Sequence, residues 1–100
     1  MPTIFVPTEN CTLLALLDSG SQISLINSYA LRKLGQYTEE MGPELDLSGI
    51  SGMHVNVKSP SFVSVTTFGK GRAENIKFAV LDDLGVCVLP CTSTMEVHLL

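Results

Sequence analysis

An all-β fold with one short helix is what this sequence predicts, and three observations carry that expectation. Short apolar runs rich in Val, Ile, Leu and Phe recur along the chain, each bounded by Pro, Gly, Asn, Asp or Ser. Only one stretch, Tyr29 to Leu34, spaces its apolar residues for a helix. The composition, 45% hydrophobic against 16% charged in 100 residues, fits one compact domain over 1–100 with a modest core and argues against disorder.

Taken in order, Ile4-Phe5-Val6 is a β-prone run closed by Pro7, and Thr8-Glu9-Asn10 supplies turn chemistry. The next apolar run starts at Cys11 and ends at Asp18, so the two runs read as a hairpin. After Ser19-Gly20-Ser21, the residues Ile23, Leu25 and Ile26 resume a short strand. The helix follows: Asn27 or Ser28 can cap its start and Gly35 can stop it. Gln36 to Asp46, polar, acidic and broken by Gly42-Pro43, reads as a surface connection. From Leu47 to Val57, two glycines interrupt a β pattern, as at the tip of a mobile hairpin, and Lys58-Ser59-Pro60 ends that arm. Phe62 to Phe68 is a strand, Gly69 to Arg72 a turn, and Ile76, Phe78 and Val80 alternate along the next strand. Asp82-Asp83-Leu84-Gly85 is a solvated turn before a buried strand, Val86 to Leu89, that ends at Pro90. The tail, Met95 to Leu100, is extended and apolar, and such a strand needs a partner.

Several function classes are disfavoured. A formal net charge of −4 with six scattered Lys and Arg provides no footprint for nucleic acid. No apolar run approaches the roughly 20 residues that cross a bilayer, and Met1-Pro2-Thr3 does not open like a signal peptide, so no membrane partner and an intracellular setting, cytoplasmic or within virus-like particles, are expected. Cys11, Cys87 and Cys91 are an odd number without a secretory signal, which argues against a disulfide framework. Cys87, Cys91 and His98 fit no zinc spacing, so no metal and no cofactor are expected. His54 and His98 read as solvent-facing strand residues with no catalytic role.

The stretch Leu13 to Ile26 concentrates the chemistry. An apolar run delivers one carboxylate, Asp18, into Ser-Gly-Ser, and a second apolar segment follows at once. In an arbitrary protein Asp-Ser-Gly after a strand is most often a turn. Here Ala15-Leu16-Leu17-Asp18-Ser19-Gly20-Ser21-Gln22 resembles the apolar-apolar-Asp-Ser/Thr-Gly signature of retroviral-type aspartic proteases, the retropepsin-like domains of retroviruses, retrotransposons and genes derived from them. Leu25-Ile26, Leu34-Gly35, the glycine-bearing Gly49 to Met53, and Phe78 to Leu84 leading into Val88-Leu89 follow in the family's order, across nearly the whole chain. One departure stands out: where the family has Gly after two apolar residues, this chain has Pro90, which lacks a main-chain donor.

That resemblance implies a closed β-rich lobe, one per chain, and a homodimer in which two copies of Asp18 form the catalytic dyad of an endopeptidase that processes a polyprotein. It also implies roles for neighbours. Ser19 locks the two catalytic loops together, Gly20 lets main chain approach the carboxylate, and Ser21 donates to its outer oxygen. Gly49, Ile50, Ser51, Gly52 and Met53 form a flap over an extended peptide, and Leu16, Gln22, Ile23, Leu25 and Val88 wall the substrate pocket. The alternative is a module that keeps the fold, binds peptide or dimerises, and no longer cuts; Pro90 is the feature that favours it.

Overall fold

The computed structural model describes residues 3–18, 23–35, 37–50, 53–69, 71–82 and 84–90. Among these residues nine strands and one helix run in the order β1 (Thr3–Pro7), β2 (Thr12–Asp18), β3 (Ser24–Ile26), α1 (Ser28–Leu34), β4 (Thr38–Met41), β5 (Leu45–Ile50), β6 (Met53–Val57), β7 (Ser61–Gly69), β8 (Arg72–Val80) and β9 (Cys87–Pro90). Seven strands form one sheet, ordered β1-β2-β9-β3-β8-β7-β4, and β5 with β6 makes a separate two-stranded sheet. A bridge between Thr8 and Thr67 joins the β1 end to β7 and curls the larger sheet on itself. Among the described residues no helix is long and apolar enough to cross a membrane.

The first hairpin forms where the sequence places it, with Ile4 opposite Ala15 and Val6 opposite Leu13. Its turn is closed twice over: the Thr8 amide and the Thr8 hydroxyl both donate to the Cys11 carbonyl, at 2.8 and 2.6 Å. Period-two alternation then sorts β2, since Leu13, Ala15 and Leu17 are buried on one face while Leu14 and Leu16 lie on the other.

For the helix, Asn27 is the cap: its Oδ1 accepts from the Ala30 amide at 2.8 Å, and its Nδ2 donates to the Leu84 carbonyl at 2.8 Å. One side chain thereby fixes both the helix start and the loop before β9. Ala30, Leu31 and Leu34 face the core, and Arg32 and Lys33 sit in the last turn, where the helix dipole favours cations. Gly35 ends the helix at φ +77°, a conformation that costs other residues, while Asn10 Nδ2 donates to the Leu34 carbonyl at 2.6 Å.

The Gln36 to Asp46 region differs from its expected form as a plain connection. It holds β4, fully exposed and paired antiparallel with β7, and Asp46 already belongs to β5. Four polar or exposed residues carry no alternation to announce a strand, and only the main-chain ladder to β7 makes one. Lys77 pairs with Glu40 at 2.5 Å and Ser61 donates to Glu39 at 2.6 Å, anchoring this edge. Gly42 follows because a Cβ there would overlap the Phe62 ring.

Two apolar clusters result. The larger, closed inside the curled sheet beneath α1, includes Val6, Leu17, Ile26, Val63, Phe78 and Leu89. The smaller lies between the sheet and the β5–β6 hairpin: Leu25, Leu47, Ala79 and Val88 are buried, while Ile23, Leu45, Val55, Phe62, Leu81 and Leu84 are only partly covered.

Candidate active site

Asp18 is the last residue of β2, and its position follows from an unusual threading of strands. β9 lies between β2 and β3, parallel to β2 and antiparallel to β3. β2 thus ends at Asp18 on one side of β9, and β3 begins on the other. β9 is buried along its whole length and reads as the continuous apolar run Cys-Val-Leu-Pro, as a strand covered on both faces should.

In this register Leu16 stands opposite Val88, Leu17 opposite Leu89, and Asp18 opposite Pro90. Asp18 as a residue is only 7% exposed. A charge that buried persists only where hydrogen bonding and charge partners replace water, so the surroundings of Asp18 are under strong constraint. Pro90 contributes no main-chain donor to the position facing Asp18.

Asp18 shares its sheet face with Leu16 and Leu14, at period two along β2. On the same face Val88 pairs with Leu25, and Leu25 with Ala79. The β5–β6 hairpin roofs that row. Leu45 faces Val57 and Leu47 faces Val55, which gives the hairpin an apolar underside, whereas its upper side carries Asp46, Asn56 and His54. There His54 Nε2 meets Asp46 at 2.9 Å, and Glu44 accepts from Asn56 at 2.8 Å and from Lys58 at 3.1 Å. Those two donors hold the Glu44 carboxyl below its usual range. A bulge interrupts the ladder between Ser48 and Ile50, close to the tip.

Of the expected pocket wall, Leu16 and Ile23 are half-buried, whereas Leu25 and Val88 are fully covered beneath the hairpin. Ser19, Gly20, Ser21 and Gln22, and Ser51 and Gly52 of the expected flap, lie outside the described residues, as do Cys91 and the 91–100 tail. Gly49, Ile50 and Met53 are placed by their main chain at the facing ends of β5 and β6. Asp82 accepts a short hydrogen bond from Ser28, which ties the β8 exit to the helix start and gives that carboxylate a structural task. Cys87 is buried in the closed cluster, and burial pushes its thiol up to about 11, against a bond from the Asn27 main chain. A surface concavity of about 310 Å³ beside Asn10, Leu34 and Tyr37 includes none of the expected site residues.

Sequence reasoning did not single out Leu45, Leu47, Val55 and Phe62 as neighbours of the site. For Leu45, Leu47 and Val55 the signal was the alternation on either side of the glycines, which specifies an apolar face without saying what that face covers.

Among solved structures, the chain is similar to EIAV protease complexed with the inhibitor HBY-793, with a TM-score of 0.73 and 24% identity over 99% of this chain and 91% of that one. No family model and no curated protein matches the sequence. The chain has the retropepsin-like fold: a curled, mostly β lobe with one short helix.

Proposed function

We propose that this chain is one half of an aspartic endopeptidase: two copies associate so that Asp18 and the partner subunit's Asp18 form a dyad that hydrolyses peptide bonds. The observation that carries the reading is the placement of Asp18, an acidic residue 7% exposed at the end of β2, on the face that the amphipathic β5–β6 hairpin roofs. The fold it shares with a retroviral protease supports the same reading.

The chemistry follows from elementary electrostatics. Two carboxylates a few ångströms apart cannot both ionise cheaply, so they hold one proton between them. The ionised member removes a proton from a bridging water as it attacks the peptide carbonyl, and the protonated member stabilises the oxygen that gains charge. Gly20 admits the main chain close to the carboxylates, Ser21 donates to the outer oxygen, and Ser19 joins the two loops across the twofold axis. The hairpin tip, Gly49 to Met53, closes over an extended peptide and excludes water. Leu16 and Ile23 line the cleft with Gln22, and Leu25 and Val88 form the floor beneath them. The substrate is an unfolded stretch of a polyprotein, cut best at mildly acidic pH inside a cell or particle.

Asp18→Asn is the test. Cleavage of peptides should fall by about a thousandfold or more, and a pepstatin-like transition-state mimic should block the wild type. Cleavage that survives the substitution would falsify this reading.

The second reading is a non-cutting peptide-binding or dimerisation module, and the observation favouring it is Pro90 directly opposite Asp18. A stable dimer by sedimentation, with no turnover by the wild type and with turnover gained in Pro90→Gly, would select it.

A further inference from the structure

The hairpin that roofs the Asp18 face is joined to the main sheet by two chain crossings. The chain enters through Gly42-Pro43-Glu44, between β4 and β5, and leaves through Lys58-Ser59-Pro60, between β6 and β7. Both crossings are fastened on either side. On the sheet side, the last β4–β7 pair, Met41 with Ser61, is followed by a bond from the Gly42 amide to the Pro60 carbonyl at 3.0 Å. On the hairpin side, Glu44 accepts from Asn56 at 2.8 Å and from Lys58 at 3.1 Å. Pro43 and the buried Pro60 each fix φ, so little main-chain rotation remains between the two fastenings.

Phe62 stands against this bend. A Cβ on Gly42 would overlap its ring at Cδ2 and Cε2, so the Gly42 main chain lies directly on the ring. The ring has little room to step aside. Phe62 is half-buried against the roofed cluster, and Lys77, held by Glu40 at 2.5 Å, places its Nζ 5.3 Å from the ring centre. Strand register puts the same residue in the row beneath the hairpin, since Val88 pairs with Leu25, Leu25 with Ala79, and Ala79 with Phe62. One side chain thus meets both the bend of the roof and the end of the floor.

We infer that Phe62 is the pivot of the β5–β6 hairpin: its contact with Gly42 sets how the hairpin is seated over the Asp18 face, and so how an extended peptide is admitted. The admission of peptide rests on the protease reading above; the seating of the hairpin does not. Phe62 acts on substrate through the hairpin, as a positioning residue. A methyl group added at Gly42 wedges the crossing away from the ring and lifts the hairpin, and a smaller side chain at 62 makes room for it again.

The experiment compares the wild type, Gly42→Ala, Phe62→Leu and the double variant by amide hydrogen exchange and by peptide cleavage. A two-stranded hairpin is marginal by itself, so exchange along β5 and β6 reports how well it is seated on the cluster. Gly42→Ala should speed that exchange by about fivefold or more and leave β2, β8 and β9 unchanged. Phe62→Leu, which shrinks the ring without crowding, should speed the same amides by about twofold or more, and it decides the pivot if Gly42→Ala does not fold. In the double variant the hairpin should return to within about twofold of Phe62→Leu. The peptide KM should follow the same pattern, raised in Gly42→Ala and restored in the double variant, with kcat moved less. Hairpin exchange that neither single variant changes, that rises equally in every strand, or that the double variant fails to restore overturns the pivot. So does the expected exchange beside a KM that never moves, because the seating would then have no bearing on peptide. If the wild type cleaves no peptide, the protease reading falls, and the exchange pattern by itself still decides the seating.

Discussion

The two apolar clusters are built from the same strands and differ in what closes them. Along β9, Leu89 enters the closed cluster and its neighbour Val88 enters the roofed one; along β3, Ile26 and Leu25 divide in the same way. Among the described residues, fourteen are buried in the closed cluster. Among the same residues, four are buried in the roofed cluster, with six more half-covered. Adjacent residues of one strand thus fill the closed cluster on one face and lie beneath the hairpin on the other.

The largest expected contrast lies in truncations. Phe78→Ala, which removes a ring 1% exposed in the closed cluster, should cost about 3–5 kcal/mol of unfolding free energy in a denaturant titration. If the loss were under about 1 kcal/mol, the closed cluster would not be the stability core.

Next comes pH, which probes the same closed cluster through Cys87. Burial first, and the nearby Cys11 thiol second, raise the Cys87 thiol from 9.0 to about 11. Above the unfolded value the unfolded chain has released this proton and the folded chain retains it. The stabilisation is therefore complete below about pH 9 and declines as pH rises towards 11, by on the order of 2 kcal/mol. Comparing alkaline melts of wild type and Cys87→Ala checks it, because the slope over that window should be shallower in the variant.

Asn27 joins the two regions, so its effect should be intermediate. Asn27→Ala removes the helix cap and the bond to Leu84, a residue packed against the roofed cluster, and should cost about 1–2 kcal/mol. Asn27→Asp should recover only the cap. Equal stability of Asn27→Asp and the wild type would mean that the Leu84 bond contributes nothing.

The smallest stability effect is expected at the roof. Val55→Ala takes methyl groups from a half-covered residue of the hairpin and should lower stability by less than about 1 kcal/mol. On the proposed protease reading its main effect should be a raised KM for peptide, measured beside a melting curve shifted only slightly. A large stability loss there would mean that the hairpin belongs to the fold's core and is no cover.

Much of the fold was legible in the sequence because it is written in short-range pattern. Period-two alternation set the faces of β2, the turn residues at Thr8 to Asn10 set the first hairpin, and Asn27 and Gly35 bounded the helix. The candidate site was legible in part: Asp18 stands at its strand end, and the hairpin spans the expected glycines. β4 was not legible, since an exposed edge strand has no buried face to enforce alternation.

What the sequence alone determined, then, is local: which stretches extend, which one coils, and which carboxylate ends a strand inside apolar surroundings. Only the tertiary structure decided that β9 threads between β2 and β3, that Pro90 faces Asp18, and that Leu47 and Val55 roof the neighbouring row. The physical reason is range. Alternation and capping act between residues a few positions apart, whereas strand neighbours about 70 residues apart are chosen by which pairing buries every apolar face at once, and no window of the chain contains that choice.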